Sequence, residues 1–330
     1  MAEYAKPWLP IEEQITKLAS RGVEIGDEAV CALLLRAVGY YRLTGYLYPF
    51  RESELVVDDD GRARRLIHNQ YRPGTSIALA SALIDFDRQL RLVVLDGVER
   101  IEISLRTQVA YVLGRRSAFA HLDPGTFVAS FTDAPAGSTA ENPLPSKHEE
   151  WIGRIRDRQD GSDEAFVAHF RNKYDDQMPI WALTEIMEMG HLARLFGGLQ
   201  NSLATEIATE YGAPSKKVMG SWVASLNYVR NVAAHHARLF NRKLVVAPSR
   251  PVVGHVPLLD HLRGEESAKK VFGLYNALAV MAYLLRSIDE KSGWPGKVKS
   301  LFAEFPESLN LDLRSIGVPD GWEDLQIWQG

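Results

Sequence analysis

Between Asn227 and Arg242 the chain gathers side chains that can do chemistry: Asn227, Arg230, Asn231, His235, His236, Arg238 and Arg242. On a single helix turning about 100° per residue, Asn227, His235, Arg238 and Arg242 all fall within about 40° of Asn231. Arg230 lies one step off that stripe, and Ala233, Ala234 and Ala237 beside it permit close packing. A merely solvated face favours Glu and Lys, which form helix better than Asn or His. The set suits cleavage of a phosphodiester in RNA. Neutral His235 takes the proton of a ribose 2′-hydroxyl, because histidine titrates near 6.5. Arg230 holds the phosphate and stabilises the charge that grows on it. Asn231 orients the histidine or the phosphate, and His236, one step round the helix, is the second candidate base. This chemistry calls for no metal ion and no cofactor. The competing reading of the same spacing is structural, with His235 and Asn231 satisfying polar neighbours in a packed helix.

Other chemistries find less support. His235-His236 has no glutamate at zincin spacing, and the chain has no phosphate-binding glycine loop and no nucleophile elbow. Cys31, among Ala and Leu on an apolar helix face, reads as inert core.

The elements that must position the motif are helical. Ile11, Ile15 and Leu18 after Pro10 make one amphipathic segment, stopped by Arg21-Gly22. Asp27 caps a second with Val30, Leu33, Leu34 and Val38, ending at Gly39. The aromatic stretch Tyr40–Phe50 follows, and Asp58-Asp59-Asp60-Gly61 is a turn. From Ser76 to Leu113 the apolar residues Leu90, Val94, Val98, Ile101, Leu105, Val109 and Val112 advance by three or four, which predicts one long helix with a kink at Gly97. Thr132–Ser146, rich in small and turn-forming residues, reads as a flexible loop. Further helices are expected at Glu164–Lys173, Trp181–Leu199, Lys217–Phe240 and Ala268–Ile288, with Lys243–Ala247 as the one strand-like segment. The fold class is all-α.

At 46% hydrophobic and 24% charged residues, the 330-residue chain is globular rather than disordered. A net charge of −4 excludes a general nucleic-acid coat but leaves room for a local basic cleft. Three basic clusters could form one or be solvated faces: Arg62, Arg64 and Arg65; Arg154, Arg156 and Arg158; Arg238, Arg242 and Lys243. A single cysteine rules out an intrachain disulfide, and no apolar run approaches the ~20 residues of a membrane helix. With no secretory leader, the expected location is the cytoplasm, away from membranes.

Arg230-Asn231 followed by His235 resembles the R-x4-6-H motif of HEPN ribonucleases. Around it, Tyr4-Ala5-Lys6-Pro7, Ile11-Glu12-Glu13-Gln14-Ile15 and Gly39-Tyr40-Tyr41-Arg42-Leu43-Thr44-Gly45-Tyr46 resemble the opening of the Abi-like (AbiD/AbiF-type) abortive-infection family. Phe86–Arg91, Val98–Thr107, Phe166–Phe170, Pro179–Glu185, Gly317-Val318-Pro319 and Trp322 are similar too, and Ala234 stands where the family commonly has Cys.

The resemblance implies a HEPN-like helical core at 73–290, preceded by an N-terminal helical region at 1–72 and followed by a tail at 291–330 packed on the core. It implies a toxin-like RNA endonuclease of anti-phage defence, restrained by a small RNA or partner, with Arg230, Asn231, His235 and His236 catalytic. Arg238, Arg242, Glu102, Arg106 and Arg42 would bind RNA or support the site. One motif copy per chain implies a homodimer with a composite site. Glu102 would pair with Arg230 and aim it at phosphate; alternatively it forms a surface ion pair with Arg106, four residues on. The alternative function is a HEPN-fold module that holds RNA or a protein without cutting.

Overall fold

Local capping chemistry sets the first helices. The Asp27 carboxylate accepts the N–H groups of Ala29 and Val30 and starts a helix that ends at Gly39, where φ is +80°. The computed structural model describes residues 3, 5, 7–58, 60–264 and 273–329. Tyr4, Lys6, Asp59 and the 268–272 start of the last predicted helix lie outside the described residues. The chain is an all-α bundle with one two-stranded hairpin. It divides into two compact units, Met1–Leu90 with Ser300–Ser315, and Arg91–Lys299 with Ile316–Gly330.

The first unit holds α1 (Ile11–Ser20), α2 (Glu28–Val38), α3 (Tyr40–Leu47), the hairpin β1 (Arg51–Val57) and β2 (Ala63–Tyr71), and the start of α4 (Ile77–Gly114). The Tyr46 hydroxyl donates to the fully buried Asp87 carboxylate at 2.5 Å, and Phe86 meets Phe305 edge to face at 4.9 Å. Cys31 is buried as expected, and burial pushes its thiol pKa up. The antiparallel hairpin, in register from Ser53↔Ile67 to Val57↔Ala63, was not legible as strands. Both of its faces are largely exposed, so no apolar–polar alternation marks it. Conversely, the strand expected at Lys243–Ala247 does not form: no neighbouring strand offers it an edge, and Val245 is 74% exposed.

The second unit holds the rest of α4, then α5 (Ala129–Thr132), α6 (Lys147–Asp160), α7 (Ala165–Tyr174), α8 (Ile180–Leu183), α9 (Met189–Gly198), α10 (Asn201–Glu210), α11 (Lys216–Ala234), α12 (Leu274–Ile288) and the first turns of α13 (Trp294–Ala303). The α12 helix is apolar on all sides and buried almost throughout, which makes it the core element. All seven stripe residues of α4 are buried. The helix runs unbroken through Gly97, which serves close packing instead: an added Cβ would sit 2.7 Å from Met281 Cε and 2.7 Å from Trp294 Nε1. The Trp294 indole N–H donates to the Val93 carbonyl at 2.9 Å.

The single helix expected over Trp181–Leu199 is broken. After α8 and a turn at Thr184–Ile186, Met187 and Glu188 are extended, and α9 starts when the Glu188 N–H donates to His191 Nδ1 at 3.1 Å. Carbonyls freed at the break are taken up by arginines: Arg106 Nη1 donates to Glu185 O and Arg158 Nε to Ile186 O, both at 3.2 Å. His148 Nε2 donates to the His121 carbonyl at 2.8 Å, and both rings are buried.

Two stability predictions follow from this packing. Gly153 in α6 has open space where a Cβ would go. Gly153→Ala should therefore stabilise by about 1 kcal/mol, while Gly97→Ala, with the same propensity gain, should destabilise by about 1–3 kcal/mol through overpacking. Urea unfolding of the two variants decides it; equal shifts would refute the close-approach role. Burial, then the neighbouring His148, lowers the His121 pKa from 6.5 to about 4. Between those values the unfolded chain binds a proton that the folded chain does not. Stability should therefore fall as pH drops through this window, by on the order of 3 kcal/mol from His121. His121→Gln should flatten the slope of unfolding free energy between pH 4 and 6.5, and an unchanged slope would rule this out.

Candidate functional site

Helix α11 starts where the Ser215 hydroxyl accepts the Val218 N–H at 3.3 Å. Its buried face is Met219, Trp222, Val223, Leu226, Val229 and Val232, at spacings of three and four. Fixing that face leaves Asn227, Arg230 and Asn231 half-buried along its margin. Asn227 lies against α9, where a Cβ on Gly190 would sit 3.4 Å from its Oδ1.

The helix stops at Ala234, six residues before the expected end at Phe240. His235 is its C-cap, and His236 takes a left-handed conformation with φ +55°. The Ala237 N–H donates to Val232 O at 3.0 Å and the His236 N–H to Ala233 O at 3.1 Å. That pair of bonds is a Schellman stop, with histidine where glycine is usual. The stripe from Asn231 to Arg242 is therefore not one helix face. Arg238 and Arg242 belong to the irregular chain beyond it, and Asn241 adds a second left-handed step at φ +50°. Arg242 folds back, its Nε donating to Arg238 O at 2.8 Å and its Nη1 meeting the Tyr228 hydroxyl of α11 at 3.5 Å. His235 and His236 are exposed.

On α4, Glu102 accepts from Arg106 Nη2 at 2.5 Å. Glu102 is only 8% exposed, so this is a mostly buried pair rather than a surface one. The pairing of Glu102 with Arg230 is not formed. Instead Arg230 faces a concavity of about 370 Å³ that Glu99, Glu102, Ile103 and Arg106 also line. Arg230 Nη1 donates to Asn231 Oδ1 at 3.2 Å, so the asparagine orients the arginine and not the histidine. That is its single hydrogen bond among the described residues, which leaves most of its guanidinium donors available. Arg42 sits half-buried on α3, in the first unit.

Glu99, Tyr228 and the Glu185 carbonyl join the site without having been singled out. Glu99 and Tyr228 lay inside segments already marked, whereas a backbone carbonyl at a helix break has no sequence signal. Among the described residues no group of three or more His, Cys, Asp or Glu is placed to hold a metal ion. No described helix is long and apolar enough to cross a membrane.

A family model described as Abi-like protein matches residues 33–241, a span holding every candidate residue except Arg242. No curated protein and no solved structure gives a match.

The helix stop separates two roles for His236. If its contribution is conformational, His236→Gly should stabilise by about 0.5–1 kcal/mol, because glycine adopts positive φ without a Cβ penalty. RNA-directed activity should persist. Loss of activity in a stabilised His236→Gly protein would instead give the imidazole a chemical role.

Proposed function

The chain belongs to the Abi-like protein family, and on that footing we propose that it is an anti-phage abortive-infection protein acting as a metal-independent endoribonuclease of HEPN type. The observation that carries this reading is the grouping at the end of α11. Arg230, with donors to spare, faces an open concavity, and His235 stands exposed at the C-cap of the same helix. Arg230 would hold the scissile phosphate and neutralise charge on its non-bridging oxygens. His235 would take the 2′-hydroxyl proton while the 2′-oxygen attacks phosphorus. The bond from phosphorus to the 5′-oxygen then breaks, and the leaving oxygen needs a proton. With His235 as base and His236 holding the helix stop, the acid would be His235 of the partner subunit in a homodimer. Substrate RNA would lie across both copies, with Arg238 and Arg242 adding positive charge at its edge. A small regulatory RNA or protein partner would hold the activity in check in a cytoplasmic setting.

His235→Ala should lower RNA cleavage by about 10²–10⁴-fold with the fold unchanged. The wild type should cut in excess chelator, leave DNA intact, and yield a 2′,3′-cyclic phosphate or 3′-phosphate with a 5′-hydroxyl end. Mixing His235→Ala with Arg230→Ala subunits should give an activity that departs from the mean of the two parents. Full activity in His235→Ala, or a 3′-hydroxyl product, overturns the mechanism. RNA bound tightly but left whole by the wild type would make the protein a binding module.

A further inference from the structure

A second cavity, of about 630 Å³, lies in the same unit and shares no lining residue with the Arg230 concavity. Its size falls in the usual range for small-molecule sites. The floor is apolar and buried, formed by Ile155, Met178 and Leu183, with the rings of Phe119 and His121 beside it. His121 Nδ1 is buried and has no hydrogen-bond partner among the described residues, which leaves one polar atom in the lining open to a ligand or a water molecule.

At the mouth, Arg156 and Asp160 stand one turn apart on α6, the spacing at which opposite charges ordinarily pair. They do not pair, and neither side chain, nor that of Asp175 across the mouth, has a hydrogen bond or ion pair among the described residues. The neighbouring Asp176 is already engaged by Gln159 and Arg171. The cavity thus offers a buried apolar wall, two unengaged acceptor-only carboxylates and one unengaged guanidinium.

We propose that this cavity binds a guanine nucleotide, either free or as an unstacked residue of an RNA strand. A carboxylate accepts hydrogen bonds and cannot donate them. Guanine alone among the four RNA bases presents two adjacent donors, N1–H and N2–H, to match its two oxygens. Adenine and cytosine set a ring acceptor beside their amino group, and uracil flanks its one N–H with two carbonyls. The ring lies on the apolar floor against Phe119, as unstacked bases lie on aromatic side chains. Arg156 takes the phosphate in charge-assisted hydrogen bonds. The site stands whether or not the Arg230 group cleaves RNA.

The test is calorimetric titration of full-length His235→Ala protein, which removes the proposed base so that RNA ligands stay whole. The ligands are GMP, AMP, CMP, UMP, guanosine and two single-stranded RNAs differing by G-to-A replacement. GMP should bind at least about tenfold tighter than the other nucleotides. One of Asp160→Asn and Asp175→Asn, each checked for an unchanged melting temperature, should abolish that preference and so identify the reading carboxylate, and Arg156→Ala should weaken GMP but not guanosine. Comparable binding of GMP and the G-containing RNA identifies a free-nucleotide site. A guanine preference seen only in RNA identifies a strand-reading site. Equal affinity for all four nucleotides together with no G-to-A effect in RNA, or a preference that survives both Asn variants, overturns the proposal.

Discussion

A left-handed step at His236, closed by hydrogen bonds from Ala237 to Val232 and from His236 to Ala233, ends α11 and turns the chain away from the helix axis. Had the helix run on to Phe240, Arg238 and Arg242 would have extended the margin on which Arg230 and Asn231 lie. The stop instead gathers the basic side chains around the helix end. There Arg242 reaches back to Tyr228, and the helix dipole favours positive charge. A non-glycine residue in this conformation costs on the order of 1 kcal/mol, which the two bonds and the burial of Leu239 and Phe240 immediately after it offset. The exposure of His235 is thus a property of backbone geometry as much as of side-chain polarity.

The arginines differ in the hydrogen-bond donors they have left to give. Arg106 is committed twice, to the Glu102 carboxylate and to the Glu185 carbonyl at the break before α9. Drawing it to a phosphate would strand a nearly buried carboxylate and a backbone acceptor, each costly to leave unpaired. Arg230 faces no such conflict, since its one partner is a neutral amide on the adjacent residue. Glu102 then serves the site at one remove, by fixing Arg106 and with it the wall of the concavity.

What the sequence made legible divides along physical lines. Helix α4 was readable end to end because its seven stripe residues are all buried and recur at helical spacing. Asp27 and Gly39 announced α2 because caps are local chemistry. The hairpin was hidden because solvent on both faces removes the period-two signal. Helix α6 was hidden because its residues are mostly polar and its buried stripe, His148, Trp151, Ile155 and Gln159, is half polar; the Ser146–Glu149 capping box was its one clear mark. The break at Met187–Glu188 and the stop at His236 are backbone decisions stabilised by distant arginines and by a Schellman turn without glycine. Composition alone does not encode either. At the candidate site the residue types were therefore readable, while the helix stop that divides the face expected to carry them was not.

The homodimer proposed above would draw on the exposed side of α4. Leu92, Ile103 and Tyr111 fall on one side of a helix that turns about 100° per residue. They are 49%, 53% and 66% exposed, and Ile103 also lines the Arg230 concavity. Asp96, Glu99 and Thr107 stand between them on the same side, so the three apolar residues are separate contacts within a mixed surface. A two-fold partner would present the same mixed surface, since an isologous contact matches each patch with itself. That contact would bring a second His235 and a second Arg230 towards the first without any change within either chain. In the proposed dimer one contact would thus serve twice, covering Leu92, Ile103 and Tyr111 and supplying the general acid that a single chain's His235 cannot.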